Sequence, residues 1–512
     1  MNQRRYLALL LLAVVGGVLQ LARPAEAQQV TLRYAEELAP RIVNPVFTTT
    51  MSELRVNELL FDSLFRENYE LQVAPHLVEE YRFKRGSTTM DLTLKAGLKW
   101  SDGTPVTAGD VKFTVEAYQN KKTLSPNARL VAFIKEVRVL GERQLQIEFV
   151  KAQQNPEQKL VFKILPAHKF TDTFIKRSDT FKNKPVGTGP YILTSYADDN
   201  SLTLERNPNF REPLAINTLL MKEIPDKSQQ ANLLKFESLD LVIQVLPKDV
   251  AALEKNRKIE LYPYQTNSWW YLGMNQKNLM LMDKKVREAI SYAVDINELL
   301  KPIGTGDILS GPFVKASPYY NHDIAPRTQD MARVDKLLTE AGYVKKNGFW
   351  EKKGKKLSLR LSANRSLESA KEVVLNFQSQ MQKVGIAVEP RFETDANWQK
   401  VIWRDHDFDV VLAQWTFDAK EDIYEQFHTT GSKNFIGYSN KEVDALLDKG
   451  VATADPQARK QIYRDVHRVL AADLPYLFLW SLDSYSAISA RVENVTIHPF
   501  YYFTFIRDWV MK

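Results

Sequence analysis

Short runs of alternating polarity and amphipathic helical stretches succeed one another along the chain, with no internal repeat and no low-complexity linker. A chain patterned this way must bury each strand face and helix stripe against a neighbour. The order of elements therefore predicts an α/β fold with mixed β-sheets. Thr88 to Leu94 reads as a strand by its alternation and β-prone residues. Asp102-Gly103 behind it marks a tight turn, because glycine accepts the positive φ that other residues resist. Thr107 then opens a helix: its hydroxyl can cap the first amides, and Asp110 stands three residues on, near the positive helix end. Val286, Ala289, Ile290, Ala293 and Val294 share one face of a second helix, and Asp295 with Glu298 offers a capping box for the next. Arg333 to Ala341 reads as a further helix closed by Gly342. Phe349-Trp350 and Leu357 to Leu361 read as two strands joined by a lysine-rich turn around Gly354.

The first thirty residues set the compartment. Arg4 and Arg5 precede an apolar run from Tyr6 to Leu21, and Ala25-Glu26-Ala27 places small residues where a signal peptidase reads. The run is roughly 16 residues, short of the about 20 a spanning helix needs, and Gly16-Gly17 weakens it. Residues 1–27 thus read as a signal peptide cleaved after Ala27, and no later segment is long and apolar enough to span a bilayer. The chain has no cysteine, which excludes disulfides and a lipid-modified cysteine after the signal. A secreted protein that is not a lipoprotein, held in a Gram-negative periplasm, is the expectation. Its 69 basic and 62 acidic residues are interleaved, so the net charge of +7 forms no stripe for nucleic acid. An aromatic content of 11% supplies walls of the kind that bind small solutes in clefts. The length suggests about three domains' worth of chain.

Seven segments then follow in a telling order. They are Val43-Asn44-Pro45, Asn57 to Leu64, Ala74 to Glu80, Leu98 to Thr107, Val186 to Tyr191, Asn275 through Asp295, and Asp407-Phe408-Asp409 leading to Trp415. In these the chain resembles the family 5 extracellular solute-binding proteins, which serve importers of oligopeptides, dipeptides and nickel. Two departures stand out: Ser238 replaces a usual glycine, and Asp418-Ala419-Lys420-Glu421-Asp422 replaces an acidic, proline-containing stretch. The resemblance implies a periplasmic-binding-protein clamshell of two lobes plus an inserted domain. The first lobe would comprise residues 28–60, 185–270 and 483–512, the inserted domain 61–184, and the second lobe 271–482. Solute would bind between the lobes, and hinge closure would bury it.

The same resemblance implies the ligand-binding residues. Asp418 occupies the position of an aspartate that pairs with a peptide's α-ammonium, a charge-assisted bond that strengthens as the cleft dehydrates. Trp398, Trp415 and Tyr271 match cleft-lining aromatics, with core packing as the competing reading of the tryptophans. Strand alternation puts Trp269 and Tyr271 on one face, and Trp270 and Leu272 on the other. Leu412 stands where some oligopeptide-binding relatives carry an arginine for the peptide carboxylate. The expected partners are a peptide-like solute and inner-membrane ABC permease subunits, and the protein itself is expected to be monomeric. No catalytic residue, cofactor or resident metal is assigned. There is no GxSxG or HExxH, and Asp405 to Asp409 begins like a calcium loop but has Val410 at the required glycine. A nickel-complex or sugar binder, for which His428 is the candidate metal-side residue, and a sensor docking on a chemoreceptor are the alternatives.

Overall fold

Strand Thr31–Glu36 lies at the heart of the first sheet, parallel to Thr218–Glu223 on one side and to Leu241–Val242 on the other. The computed structural model containing it describes residues 30–512, apart from 70, 71, 85, 154, 265, 266, 368, 418–420, 454 and 499. The expected signal peptide, residues 1–27, lies outside the described residues. Ile259–Pro263, Tyr485–Ser489, Tyr191–Tyr196 and Leu202–Arg206 complete a seven-stranded mixed sheet drawn from distant parts of the chain. A buried carboxylate ties these parts together. Asp240 receives Arg33 Nε at 2.8 Å, Arg33 Nη2 at 2.9 Å and Arg491 Nη2 at 2.6 Å. An unpaired charge at that depth would cost several kcal/mol, so the three segments must meet.

A second sheet of five strands runs in the order Ala387–Glu393, Ser358–Asn364, Val410–Phe417, Asn267–Met274, Tyr476–Phe478. Apolar clusters cover both of its faces, one around Leu272, Ile290, Phe377 and Leu412, the other around Tyr271, Phe427, Tyr463 and Tyr476. A third, antiparallel sheet joins Val78–Phe83, Thr89–Leu94, Gln144–Phe149 and Ile134–Val139. Its core is continuous with that of the seven-stranded sheet, since Leu92, Trp100 and Ile147 share one cluster with Tyr34, Leu204 and Trp509. The expected α/β class with mixed sheets is what the chain forms.

The four helices announced by local signals are present. Thr107 and Asp110 form the reciprocal capping box of helix Ala108–Gln119, and Asp295 caps Ile296–Leu300. The amphipathic stretch before it is helix Lys284–Ala293, and Met331–Glu340 ends ahead of Gly342 at φ +84°. Gly187-Thr188-Gly189 is packing rather than a phosphate cradle: a Cβ on Gly187 would lie 1.8 Å from the Leu60 carbonyl oxygen.

Two expectations need correction. The lysine-rich turn at Gly354 (φ +73°) joins Phe349–Lys352 only to Lys355–Lys356, in a small sheet with Val344–Lys346. Strand Ser358–Asn364 leaves that hairpin for the five-stranded sheet, because Leu357, Leu359, Leu361 and Ala363 are fully buried while Lys355 and Lys356 are exposed. Asn267–Met274 likewise belongs whole to the five-stranded sheet. The passage out of the first sheet therefore comes before Asn267, and the boundary that the resemblance implies after residue 270 falls inside this strand.

His467, on helix Pro456–Asp473, is fully buried, accepts the Asn321 N–H at Nδ1 (3.0 Å) and lies 3.0 Å from Ser310 Oγ through Nε2. Burial pushes its pKa down to about 4. The folded state therefore favours the neutral ring: its stabilisation is complete above the unfolded pKa of about 6.5 and is lost as pH falls through 4. Urea denaturation between pH 7 and pH 4 should show a loss of roughly 3 kcal/mol from this group alone. His467→Gln should flatten the profile by that share; an unchanged slope would show that the ring titrates normally.

Candidate functional site

Strand Val410–Phe417 pairs antiparallel with Asn267–Met274 over eight residues, from Asn267 opposite Phe417 to Met274 opposite Val410. Its first half is buried. From Gln414 onward it emerges from the core, with Gln414 and Thr416 exposed. Alternation then gives the emerging ribbon two different faces. Ser268, Trp270, Gln414 and Thr416 share one, with Ser268 Oγ 2.8 Å from Thr416 Oγ1. Trp269, Tyr271, Trp415 and Phe417 share the other.

The start of this strand is pinned by charge. Asp409 accepts Arg360 Nε (3.1 Å), Arg360 Nη2 (3.1 Å), the Arg360 backbone N–H (2.8 Å) and Asn278 Nδ2 (2.7 Å). Burial pushes the Asp409 carboxyl up, but the Arg360 hydrogen bonds outweigh it and hold the pKa below the ordinary range. Arg360 also pairs with Asp407. The acidic run that imitates a calcium loop is thus an ion-paired strand start. No cluster of three or more His, Asp or Glu suited to a metal occurs among the described residues.

Four cavities meet on the emerging ribbon. One of about 260 Å3 lies between it and the first sheet, lined by Glu36, Arg55, Tyr264, Ser268, Gln414 and Thr416. A second, about 420 Å3, continues from Ser268 and Gln414 past Gln244 and Pro247 to Ile303. A third, about 630 Å3, opens beyond Thr416 and Phe417 toward Asn57, Tyr118 and Arg129. The fourth, about 340 Å3, holds Tyr271, Trp398, Trp403, Trp415 and Phe435. Gln414 lines three of the four, and so does Thr416. The placement follows from topology. Thr31–Glu36 and Val410–Phe417 each run parallel to a neighbour, and their carboxyl ends turn toward the same crevice, where open α/β sheets bind ligands. Glu36 is not free there: Arg55 grips it at 2.7 and 2.5 Å.

Three of the four sequence-predicted residues come together in the fourth cavity. Tyr271 is almost fully buried, with its ring stacked between Tyr476 (centroids 4.2 Å) and Trp415 (6.0 Å). Burial pushes its phenol well above the ordinary value. Trp398 ends the helical turn Asp395–Trp398 and faces the same space. Asp418 lies outside the described residues. Leu412, fully buried in the opposite core, cannot stand in for an arginine. His428 lines none of the four cavities; it stacks on Tyr424 at 4.4 Å, with Nδ1 2.8 Å from Thr430 Oγ1.

Sequence reasoning missed Trp403 and Phe435. Trp403 packs edge-on against Trp415 (6.1 Å) and Phe435 (5.0 Å). In an α-helix a residue five positions after Trp398 would point elsewhere. Gln399–Arg404 is instead π-helical, with Asp405 N–H bonded to the Lys400 carbonyl at 2.8 Å, and the wider turn brings positions five apart toward one face.

A family model described as bacterial extracellular solute-binding proteins, family 5 (middle), matches residues 72–436. The chain belongs to this family. It is 25% identical over 476 residues to the oligopeptide-binding protein AppA of Bacillus subtilis, covering 90% of this chain and 88% of AppA. The structure of that AppA in complex with a nonapeptide matches with a TM-score of 0.76 at 24% identity, over 94% of this chain and 99% of AppA. NikZ of Campylobacter jejuni, solved with Ni(L-His), matches with a TM-score of 0.78 at 23% identity, over 94% and 99%. These likenesses establish the solute-binding fold. Among the described residues no helix is long and apolar enough to cross a membrane, and the family is extracellular by description. Family 5 proteins bind solutes rather than transform them.

The pin beneath the ribbon has a measurable weight. Asp409→Asn keeps the shape but removes the charge facing Arg360, and should cost about 1–3 kcal/mol in urea denaturation. No loss would mean that Arg360 is satisfied by Asp407 alone.

Proposed function

We propose that this chain is the periplasmic substrate-binding component of an ABC importer. In this reading the signal peptide is cleaved after Ala27, and the mature protein captures a peptide or peptide-like solute between two lobes. It then delivers the solute to permease subunits in the inner membrane. The lobes would comprise residues 28–60, 185–266 and 483–512, and 267–482, with 61–184 inserted into the first. The protein acts as a monomer and turns nothing over; ATP hydrolysis belongs to a separate subunit.

One observation carries the reading. The ribbon at Gln414 to Phe417 is a wall common to four linked cavities, with hydroxyl and amide groups on one face and an aromatic box on the other. Such a wall suits a solute that repeats polar main-chain groups and varied side chains along its length. Tyr271, Trp398 and Trp415 supply the aromatic cover. Asp418 directly follows Phe417, which lines the largest cavity, and it is assigned the solute's ammonium group. Relatives differ in cargo, AppA having been solved with a nonapeptide and NikZ with Ni(L-His), so the test must include both chemistries.

The test is a thermal-shift screen on exported, refolded protein whose N-terminus is first read by mass as Gln28. Di- to pentapeptides, nickel with and without histidine, and simple sugars are the ligands. A peptide at 100 times its dissociation constant should stabilise the protein by about 2.7 kcal/mol. N-acetylation of the peptide or Asp418→Ala should abolish the shift. Stabilisation by nickel complexes or sugars alone would leave the family standing and remove both the peptide cargo and the role of Asp418.

A further inference from the structure

The largest cavity, about 630 Å3, is bounded on its far side by the inserted segment and carries an unusual set of charges. Arg129, Lys159, Lys163 and Lys433 line it, against Asp422 and Glu425. Lys163 is already paired with Glu58. Glu425 accepts the Ser432 N–H (2.7 Å) and Ser432 Oγ–H (2.8 Å), which lower its pKa. Lys433 lies 5.9 Å over the ring of Trp415, at the passage from the aromatic cavity. Arg129 is different. Among the described residues its guanidinium makes no hydrogen bond and no ion pair within 4.0 Å, although Glu425 lies near enough to feel its charge.

The backbone under Arg129 is nevertheless held firmly. It belongs to the short turn Ala128–Val131, which follows directly on Ser125 and Asn127. Ser125 Oγ donates to the Val46 carbonyl (2.7 Å), and Asn127 Nδ2 donates to the carbonyls of Thr48 (2.9 Å) and Pro45 (3.3 Å). These bonds clamp the inserted segment onto the chain ahead of helix Met51–Leu60 and fix where the arginine starts from. An arginine on an anchored turn, unpaired and facing the largest cavity, is placed to take a planar anion in two parallel hydrogen bonds.

We propose that this cavity receives a peptide's carboxylate, with Arg129 as the residue that binds it and Lys433 as its electrostatic support. The site replaces, from the inserted domain, the arginine that Leu412 does not provide. The inference rests on the peptide reading above and adds a second anchor to it: a carboxylate held by Arg129 from the inserted segment, across the cavity from the ribbon that leads into Asp418.

The experiment is capture from a random pentapeptide library, offered as free acids and as C-terminal amides, with bound peptides read by mass spectrometry. Wild type should enrich free acids about 10-fold over amides. Arg129→Ala should still capture peptides but lose that preference, and Arg129→Lys should keep part of it. Arg129 is exposed, so its variants should melt with wild type. Amides enriched in Asp or Glu by wild type, and not by Arg129→Ala, would show that the recognised carboxylate is a side chain's. Equal capture of acids and amides, or a preference that survives Arg129→Ala, overturns the proposal while leaving peptide binding in place. No capture of either library overturns the peptide reading and this site with it.

Discussion

Everything around the cleft depends on the register between Asn267–Met274 and Val410–Phe417. A slip of Val410–Phe417 by one residue would turn Trp415 toward the first sheet and drive Gln414 and Thr416 into the aromatic core. The buried half of the ribbon prevents it, since Leu272 and Leu412 are locked in one apolar cluster and Tyr271 and Val411 in the other. Arg360 and Asp409 fix the same register from the strand's beginning. The exposed half can then be chemically demanding, polar on one side and aromatic on the other, because its position is set elsewhere.

Backbone hydrogen bonds hold the chain where it passes between the two sheets. Where the chain passes from one to the other, Tyr264 N–H bonds to the Ser484 carbonyl (2.9 Å) and Asp483 N–H to the Thr305 carbonyl (3.0 Å). Pro247, from the first sheet's side, comes so close to Gly304 that a Cβ on the glycine would lie 2.6 Å from the proline Cβ. Gly304 has a φ of +147°, which a side chain would resist in any case. With no cysteine in the chain, both lobes depend on buried packing and on ion pairs such as Asp240 with Arg33 and Arg491.

Much of this was legible in the sequence, for local reasons. Thr107 with Asp110 and Asp295 with Glu298 announce helix starts because capping is settled within one turn. The alternation of Trp269 to Leu272 assigned each ring to its face, as strand geometry requires. The lobe boundary came from the resemblance, which carries no strand register, and so fell inside Asn267–Met274. Leu357 to Leu361 was joined to the wrong hairpin because its burial against the large sheet depends on strands from distant parts of the chain. Trp403 was hidden by a π-helical turn, which no periodicity of 3.6 announces. Arg129 could not be found at all, because its place is fixed by hydrogen bonds to carbonyls about eighty residues earlier.

The most direct measurement is a crystal structure of the mature protein with a captured pentapeptide. Density for the peptide should run along Gln414 to Phe417, between the two sheets, with its rings or aliphatic groups against Trp415, Trp398 and Trp403. Peptide density away from that ribbon, with the four cavities filled only by water, would contradict the account.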